Sequence, residues 1–263
     1  MPTDYAKACH AAMAQFRLLA ASASALGAEQ YARPTRLGNW SVAELVAHLA
    51  ANIDAVTRAL DAEPPAKVET DLFGYLGGMR EHAPGVAERA HELASGRAPE
   101  ELAAAFRQSV DAAGHALVHA GADAGPRLVR VRLGAVTLHD FLITRCLEGV
   151  VHGLDLCAAI DHPPAYDPDA LRVVVRTLAM LLADRVPGRA VEVRIPGPAG
   201  TAVQCVEGPR HTRGTPGNVV EADPVAFVEV TTGRLGWADA VADGRVRASG
   251  DRADLAPYLP LLA

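Results

Sequence analysis

A helical bundle followed by a small α+β domain is the fold class the sequence predicts, and three observations predict it. Apolar residues recur at helical spacing through most of the first ~185 residues, in long segments separated by short breaks marked by Pro and Gly. From Pro187 the pattern changes to Val-rich alternation at period two, the mark of strands. Between them, "RCLEGVVHGLDLCAAI" at 145–160 sets Arg145, Glu148, His152 and Asp155 among Leu, Val, Ile and Ala.

"DYAKACHAAMAQFRLLAASASAL" forms the first helix, and "RPTRLGNW" is a loop punctuated by Pro and Gly. "SVAELVAHLAANIDAVTRAL" opens a second helix with Ser41 and, three residues on, Glu44, the capping-box pattern. Its apolar face runs through Val42, Leu45, Leu49, Ile53, Val56 and Leu60. "AEPPAKVETDL" is a connector, and amphipathic segments follow at 84–95 and 99–120. "VRVRLGAVTL" alternates like a short strand or extended loop. The charged-stripe helix covers 137–160 until "HPPAYDP" breaks it, and "DALRVVVRTLAMLLADRV" closes the helical part. Long helices with short breaks fit an up-and-down bundle, assigned to residues 1–186.

The remainder, 187–263, reads as a small α+β domain. "RAVEVRIPG" and "TAVQCVEG" are strands, and "VVEADPVAFVEVTTGRL" is a strand and then a helix with Pro224 at its first position. "LGWADAVADG" is a short helix, "RVRASG" a strand and "DRADLAPYLPLLA" a terminal helix.

Composition narrows the function. Half the residues are hydrophobic, 21% are charged and the net charge is −6, so there is no basic footprint for nucleic acid. No apolar run reaches the ~18 residues a membrane span requires, and "MPTDYAKACHAAMAQF" is not a signal peptide. A cytoplasmic protein is expected. Cys9, Cys146, Cys157 and Cys205 are scattered and form no CxxC pair, so they read as free, mostly buried thiols rather than ligands or nucleophiles.

On a helical wheel Thr144, Arg145, Glu148, His152 and Asp155 fall within an arc of roughly 100°. Ile143, Leu147, Val150, Val151, Leu154 and Ala158 share another. Glu148 and His152, four apart, meet one turn apart. They form either a salt bridge on a solvated face or two ligands of a divalent metal that need a third from elsewhere. His115 and His119 are also four apart, but no carboxylate shares their face. His48 lies on the flank of its helix's apolar face, with Asn52 one turn further.

"LGNWSVAELVAHLA", followed about a hundred residues later by "RCLEGVVHGLDLCAAI", resembles the mycothiol-dependent maleylpyruvate isomerase family. Its members carry a DinB-like metal-binding four-helix bundle with a "GW(S/T)V..LV.HL" helix and an "R..E..VH..DL" helix. "VTTGRLGWADAVADGRVRASGDRADL" resembles the sterol-carrier-like domain appended in that family. The resemblance implies His48, Glu148 and His152 as ligands of zinc or another divalent metal, with Arg145 and Asp155 as flanking groups that orient them. Three protein ligands leave one position open, the pattern of a catalytic site.

The resemblance further implies mycothiol as thiol cosubstrate and a small electrophile as partner. The thiolate either isomerises a maleylpyruvate-like cis double bond or is transferred to the electrophile. Developing negative charge calls for arginines. Arg234 in "TTGR" is the expected catalytic cation, carried by a C-terminal lid, with Arg80, Arg210 and Arg213 as substrate-binding candidates. "VQCVEGPRHTRGTPGNVVE" departs from the isomerase pattern, which leaves maleylpyruvate itself open as substrate. Two other classes compete. A lipid or sterol carrier with a structural metal site needs a dominant apolar groove, and a zinc-dependent regulatory module usually uses Cys ligands.

Overall fold

Asp4 starts the first helix, α1 (Tyr5–Ser24), by accepting a hydrogen bond from the Lys7 amide. The computed structural model describes residues 4–197, 200–208 and 217–262, and of Arg80 and Ala83 the backbone alone. A helical turn, α2 (Ala28–Tyr31), and the loop 32–41 lead into α3 (Val42–Asp61). The capping box forms as read: the Glu44 amide donates to Ser41 Oγ, and the Ser41 amide donates to Glu44 Oε2 at 2.6 Å. All six residues of the α3 apolar stripe are buried.

After α4 (Leu72–Gly78) and a 3₁₀ turn, Met79–His82, come α5 (Ala83–Ala94) and α6 (Pro99–Ala120). "VRVRLGAVTL" closes into an antiparallel hairpin of β1 (Leu128–Val131) and β2 (Gly134–Thr137), with Val131 opposite Gly134. Gly134 takes φ 118°, a left-handed value that the two-residue return needs. Thr137 then caps α7 (Leu138–Ala159) by accepting from the Asp140 amide.

Four of these helices make the bundle, packed in the ring order α1, α6, α3, α7. The α1–α3 and α6–α7 connections therefore join diagonal partners. From Leu138 to Cys157 every α7 residue except His139, Asp140 and His152 is buried, so the charged stripe faces the interior and no solvated face exists for a surface salt bridge. Close packing of so buried a helix relies on Gly149 and Gly153. A Cβ at Gly149 lies 2.9 Å from Gln15 Cγ and 3.1 Å from Phe16 Cε2 of α1. The fully buried Gln15 also bridges the two helices' surroundings, donating to the Gly149 carbonyl and accepting from the Asp167 amide. Gly149→Val is expected to overpack this contact and lower stability by about 1–3 kcal/mol, read by urea denaturation; an unchanged midpoint would show that α1 gives way freely.

The chain divides into two compact units, ending at Ala170 and starting at Leu171. The boundary expected at 186/187 lies after α8 (Pro168–Arg185), which falls mostly in the second of these units. Apolar residues on α8 such as Val174, Val175, Leu178 and Leu182 are fully buried. A helix of this kind reads as bundle-like by periodicity alone, because periodicity shows that a face is buried but not against what. The second unit adds β3 (Val191–Ile195), β4 (Thr201–Cys205), β5 (Val219–Ala222), α9 (Pro224–Thr231), α10 (Trp237–Ala242) and β6 (Val246–Ser249). The sheet order is β4-β3-β5-β6, with β3 and β5 parallel and the other pairs antiparallel. Val191, Val193 and Ile195 alternate inward toward the core, as the period-two pattern requires.

The terminal helix read from "DRADLAPYLPLLA" is not formed. Its regular structure is a 3₁₀ turn, Ala256–Tyr258, because Pro257 and Pro260 each remove a backbone donor that a longer helix needs. The apolar core of this unit, between Leu182, Val193, Phe227, Trp237 and Leu255, encloses a cavity of about 10 Å³. That is room for about one water, whereas a ligand site measures hundreds of Å³. Among the described residues no helix is long and apolar enough to cross a membrane.

Candidate metal centre

Three donors converge inside the bundle. His48 comes from the second turn of α3, and Glu148 and His152 from successive turns of α7. Their ligand atoms all lie within 4.8 Å of one another. His48 Nε2 is 3.3 Å and His152 Nε2 3.5 Å from Glu148 Oε2. Those separations are long for N–H···O hydrogen bonds, which cluster near 2.9 Å. They match the edge of a tetrahedron around zinc: atoms bound at about 2.0–2.1 Å stand about 3.3–3.4 Å apart. Two imidazoles and a carboxylate also suit a borderline cation such as zinc. The residues present therefore fit a divalent metal.

Shorter contacts hold the donors from behind. Asn52 Nδ2 donates to Glu148 Oε2 at 2.7 Å. Asp155, fully buried, accepts from His152 Nδ1 at 2.9 Å through Oδ2. A carboxylate can only accept, so Nδ1 carries the proton and, in the neutral ring, Nε2 presents its lone pair toward Glu148. Arg36, from the loop 32–41, donates from Nε to Asp155 Oδ1 at 2.6 Å. Trp40 of the same loop meets the His48 ring edge-on with centroids 5.2 Å apart, and the two histidine rings are themselves perpendicular at 4.9 Å.

Arg145 is buried but does not pair with Glu148: among the described residues no ion pair joins them. It donates to the Asn52 carbonyl and the Asn52 side-chain oxygen, and from Nε and Nη2 to Thr144 Oγ1, with its guanidinium over the Phe141 ring. By engaging the Asn52 oxygen it fixes which end of that amide faces Glu148. Asp155 thus stands behind His152, and Arg145, through Asn52, behind Glu148.

Burial alone would raise the Glu148 pKa, but the polar contacts with His152 and His48 and the charges of His152 and Arg145 outweigh it and hold the carboxyl well below its usual range. Burial opposes a charged His152 as well, yet its bonds to Asp155 and Glu148 push its pKa up to about 9. His48 goes the other way: burial lowers its pKa, against the pull of Glu148.

Arg80 falls in the 3₁₀ turn Met79–His82, and Arg210 and Arg213 lie outside the described residues. Arg234 follows α9 in the second unit. Gly233, at φ 73°, ends that helix in a Schellman motif, with the Arg234 amide on the Glu229 carbonyl, and Arg234 Nη1 donates to the Thr232 carbonyl. His115 and His119 are exposed on α6. The cysteines are free thiols, three of them buried. Burial pushes the pKa of each upward, Cys205 to about 11, which keeps them protonated and poor as nucleophiles. Two residues that shape the centre carry no assignment from sequence: Arg36, and Asn52 as the link between Arg145 and Glu148. Asn52 stands one turn beyond His48, a visible signal. The basic residue within three or four positions of Asp155 on α7 is His152, itself a donor of the cluster, so the cation on its other oxygen had to come from another element.

Comparison with known proteins bears on the two parts of the chain. A family model described as the mycothiol maleylpyruvate isomerase N-terminal domain matches residues 12–157, and one described as a bacterial SCP ortholog matches residues 167–261. No curated protein matches the chain significantly. Solved structures of the mycothiol-dependent maleylpyruvate isomerase and of one of its point mutants are each similar at 17% identity and a TM-score of 0.60, over 96% of this chain and 95% of that one. That likeness establishes the fold, and the model matching more than half of the residues establishes kinship: this chain belongs to the mycothiol maleylpyruvate isomerase N-terminal domain family.

Proposed function

We propose that the chain is a zinc- and mycothiol-dependent enzyme that applies a thiolate to a small electrophile, with His48, Glu148 and His152 as the metal ligands. The observation that carries this reading is the convergence of the three donors, both imidazoles standing 3.3–3.5 Å from Glu148 Oε2, in a chain of this family. When bound, a divalent metal supplies the Lewis acidity that keeps a thiol as thiolate at neutral pH.

The chain's own residues do the rest. Asn52 and Asp155 orient Glu148 and the His152 ring. The buried charges of Glu148 and Asp155 are balanced in number by Arg145 and Arg36, so this protein framework is close to neutral once His152 has given up its proton to let an ion in. A divalent ion's charge is then left to be met by incoming anions, which suits a thiolate together with a substrate carboxylate. The buried thiols of the chain, held protonated, leave the thiol to be supplied from outside.

For the isomerisation, the thiolate sulfur bonds to one carbon of the cis double bond and the electron pair moves to the conjugated carbonyl. Rotation about the single bond so formed and expulsion of the same thiolate give the trans isomer, with no net change in atoms or electrons. Transfer of the thiol to the electrophile stops after the first bond forms, the enolate taking back from solvent the proton that the thiol gave up. Mass spectrometry of zinc-loaded protein with mycothiol and a panel of cis-enoyl electrophiles distinguishes the two: unchanged substrate mass with altered retention marks isomerisation, and a mass increase by the thiol marks transfer. Absence of both, or equal turnover in thiol-free buffer, would overturn the reading.

Arg234 is our candidate for stabilising the negative charge that develops on the substrate carbonyl, on the strength of its chemistry and of the fixed turn that carries it. Arg234→Ala is expected to lower kcat about 100-fold while zinc content stays at the wild-type level. An unchanged kcat would remove Arg234 from the machinery.

A further inference from the structure

Arg36 stands behind the metal centre but comes from neither of the helices carrying the donors. Its loop is built to hold it still. The Thr35 amide donates to the Trp40 carbonyl at 2.8 Å, the Val42 amide to the Arg33 carbonyl at 2.9 Å, and Pro34 and Ser41 form an isolated β-bridge. Thr35 Oγ1 ties the loop further, accepting from the Leu37 amide, and Gly38 at φ 66° turns the chain between the two ends. This closed loop presents two side chains to the two histidine donors: Trp40 packs on His48, and Arg36 engages Asp155, which holds His152.

We propose that Arg36 is a positioning residue, acting through Asp155 to fix the orientation of the His152 imidazole and so the geometry and retention of the metal. The inference rests on the metal-centre reading given above. Asp155 uses its two oxygens on different partners, Oδ1 on Arg36 and Oδ2 on His152. The Arg36 bond therefore sets the plane of the carboxylate and, through it, the plane of the ring. Asp155 is fully buried, so solvent is not at hand to take over that role, whereas the Arg36 side chain is 29% exposed and reaches Asp155 from the surface. Arg36 also lines an open recess of about 290 Å³ with Arg33, Pro34, Ala158, Ala159 and Asp161. Its neighbour Arg33 is a built-in control. It comes from the same loop and lines the same recess, but it donates to the Ala159 carbonyl and pairs with Asp161, with no bond to Asp155.

The test compares Arg36→Gln, Arg36→Lys and Arg33→Gln in the full chain, loaded with cobalt(II) as a spectroscopic stand-in for zinc. Arg36→Gln is expected to change the visible d–d absorption of the cobalt protein and to weaken metal affinity, by chelator competition, about 10–100-fold. Arg36→Lys keeps the charge without the planar fork and should fall between it and wild type, and it stands in for Arg36→Gln if that variant does not fold. Arg33→Gln should match wild type in both readouts. In an Asp155→Asn background the Arg36→Gln change should add little further loss, since both act on one ring. A wild-type spectrum and affinity in both Arg36 variants overturns the proposal, as does a full, additive loss in the Asp155→Asn background. Wild-type protein that takes up no cobalt would overturn the metal centre itself, and the relay with it; that outcome differs from the others because the wild type, not the variant, fails.

Discussion

Replacing Glu148 with alanine is expected to abolish stoichiometric metal binding and, with it, turnover. Glu148 supplies the oxygen that both imidazoles face, at 3.3 and 3.5 Å, and without it two nitrogens remain on a divalent ion that needs three protein ligands to be retained. The loss should exceed the 10–100-fold effect typical of a group that only supports a ligand. The metal-free protein should weaken too. Glu148 feels the charges of His152 and of buried Arg145, and removing one partner from a buried charge cluster costs about 3–5 kcal/mol. His152 can relieve part of this by giving up its proton, which places the loss at the lower end, about 3 kcal/mol. Glu148→Gln separates the two effects, because it keeps an oxygen for the Asn52 amide and fills the same volume. It should fold close to wild type and still bind metal poorly. Elemental analysis of the purified variants decides the matter: full zinc in Glu148→Ala would end the assignment. His115→Ala combined with His119→Ala should leave the metal content unchanged.

The parts of this site legible in the sequence are those written on one helix. Glu148, His152 and Asp155 declare themselves because helical spacing stacks them on one face of a segment too apolar to be a surface helix, and α7 is buried along most of its length. His48 is legible only through its motif, since nothing local separates a ligand from a satisfied buried histidine. Arg36 is invisible for a different reason. Its partner is 119 positions away, and a loop arginine next to Pro and Gly looks like any surface cation until the fold closes over it. The same limit explains α8 and the C-terminus. Periodicity reports that α8 buries a face but not which unit receives it. In "DLAPYLPLLA" the apolar pattern is helical, while two prolines within it decide against the helix.

Metal affinity is expected to rise about tenfold per pH unit from pH 6 to about pH 9, close to 1,000-fold in all, and then level off. In the metal-free protein His152 has its pKa raised to about 9, so through the neutral range it is an imidazolium whose proton must leave before Nε2 can bind an ion. The other two donors add nothing to this slope. Glu148 is held well below the usual carboxylate range and is already ionised, and burial keeps the pKa of His48 low, so its ring is already neutral. One proton is therefore released per metal bound, which calorimetry at pH 7 in buffers of different ionisation enthalpy counts directly. The stability of the metal-free protein should run in the opposite direction. A histidine whose folded pKa lies above its unfolded value of about 6.5 stabilises the fold fully below that value and loses the contribution as pH rises through about 9. The metal-free chain should therefore lose up to about 3 kcal/mol between pH 6 and pH 10, while metal-loaded protein gains protection over the same interval. Crossing pH profiles of this kind require a proton and a metal to compete for one nitrogen. A flat affinity profile, or two protons released at pH 7, would mean that His152 is not the group they share.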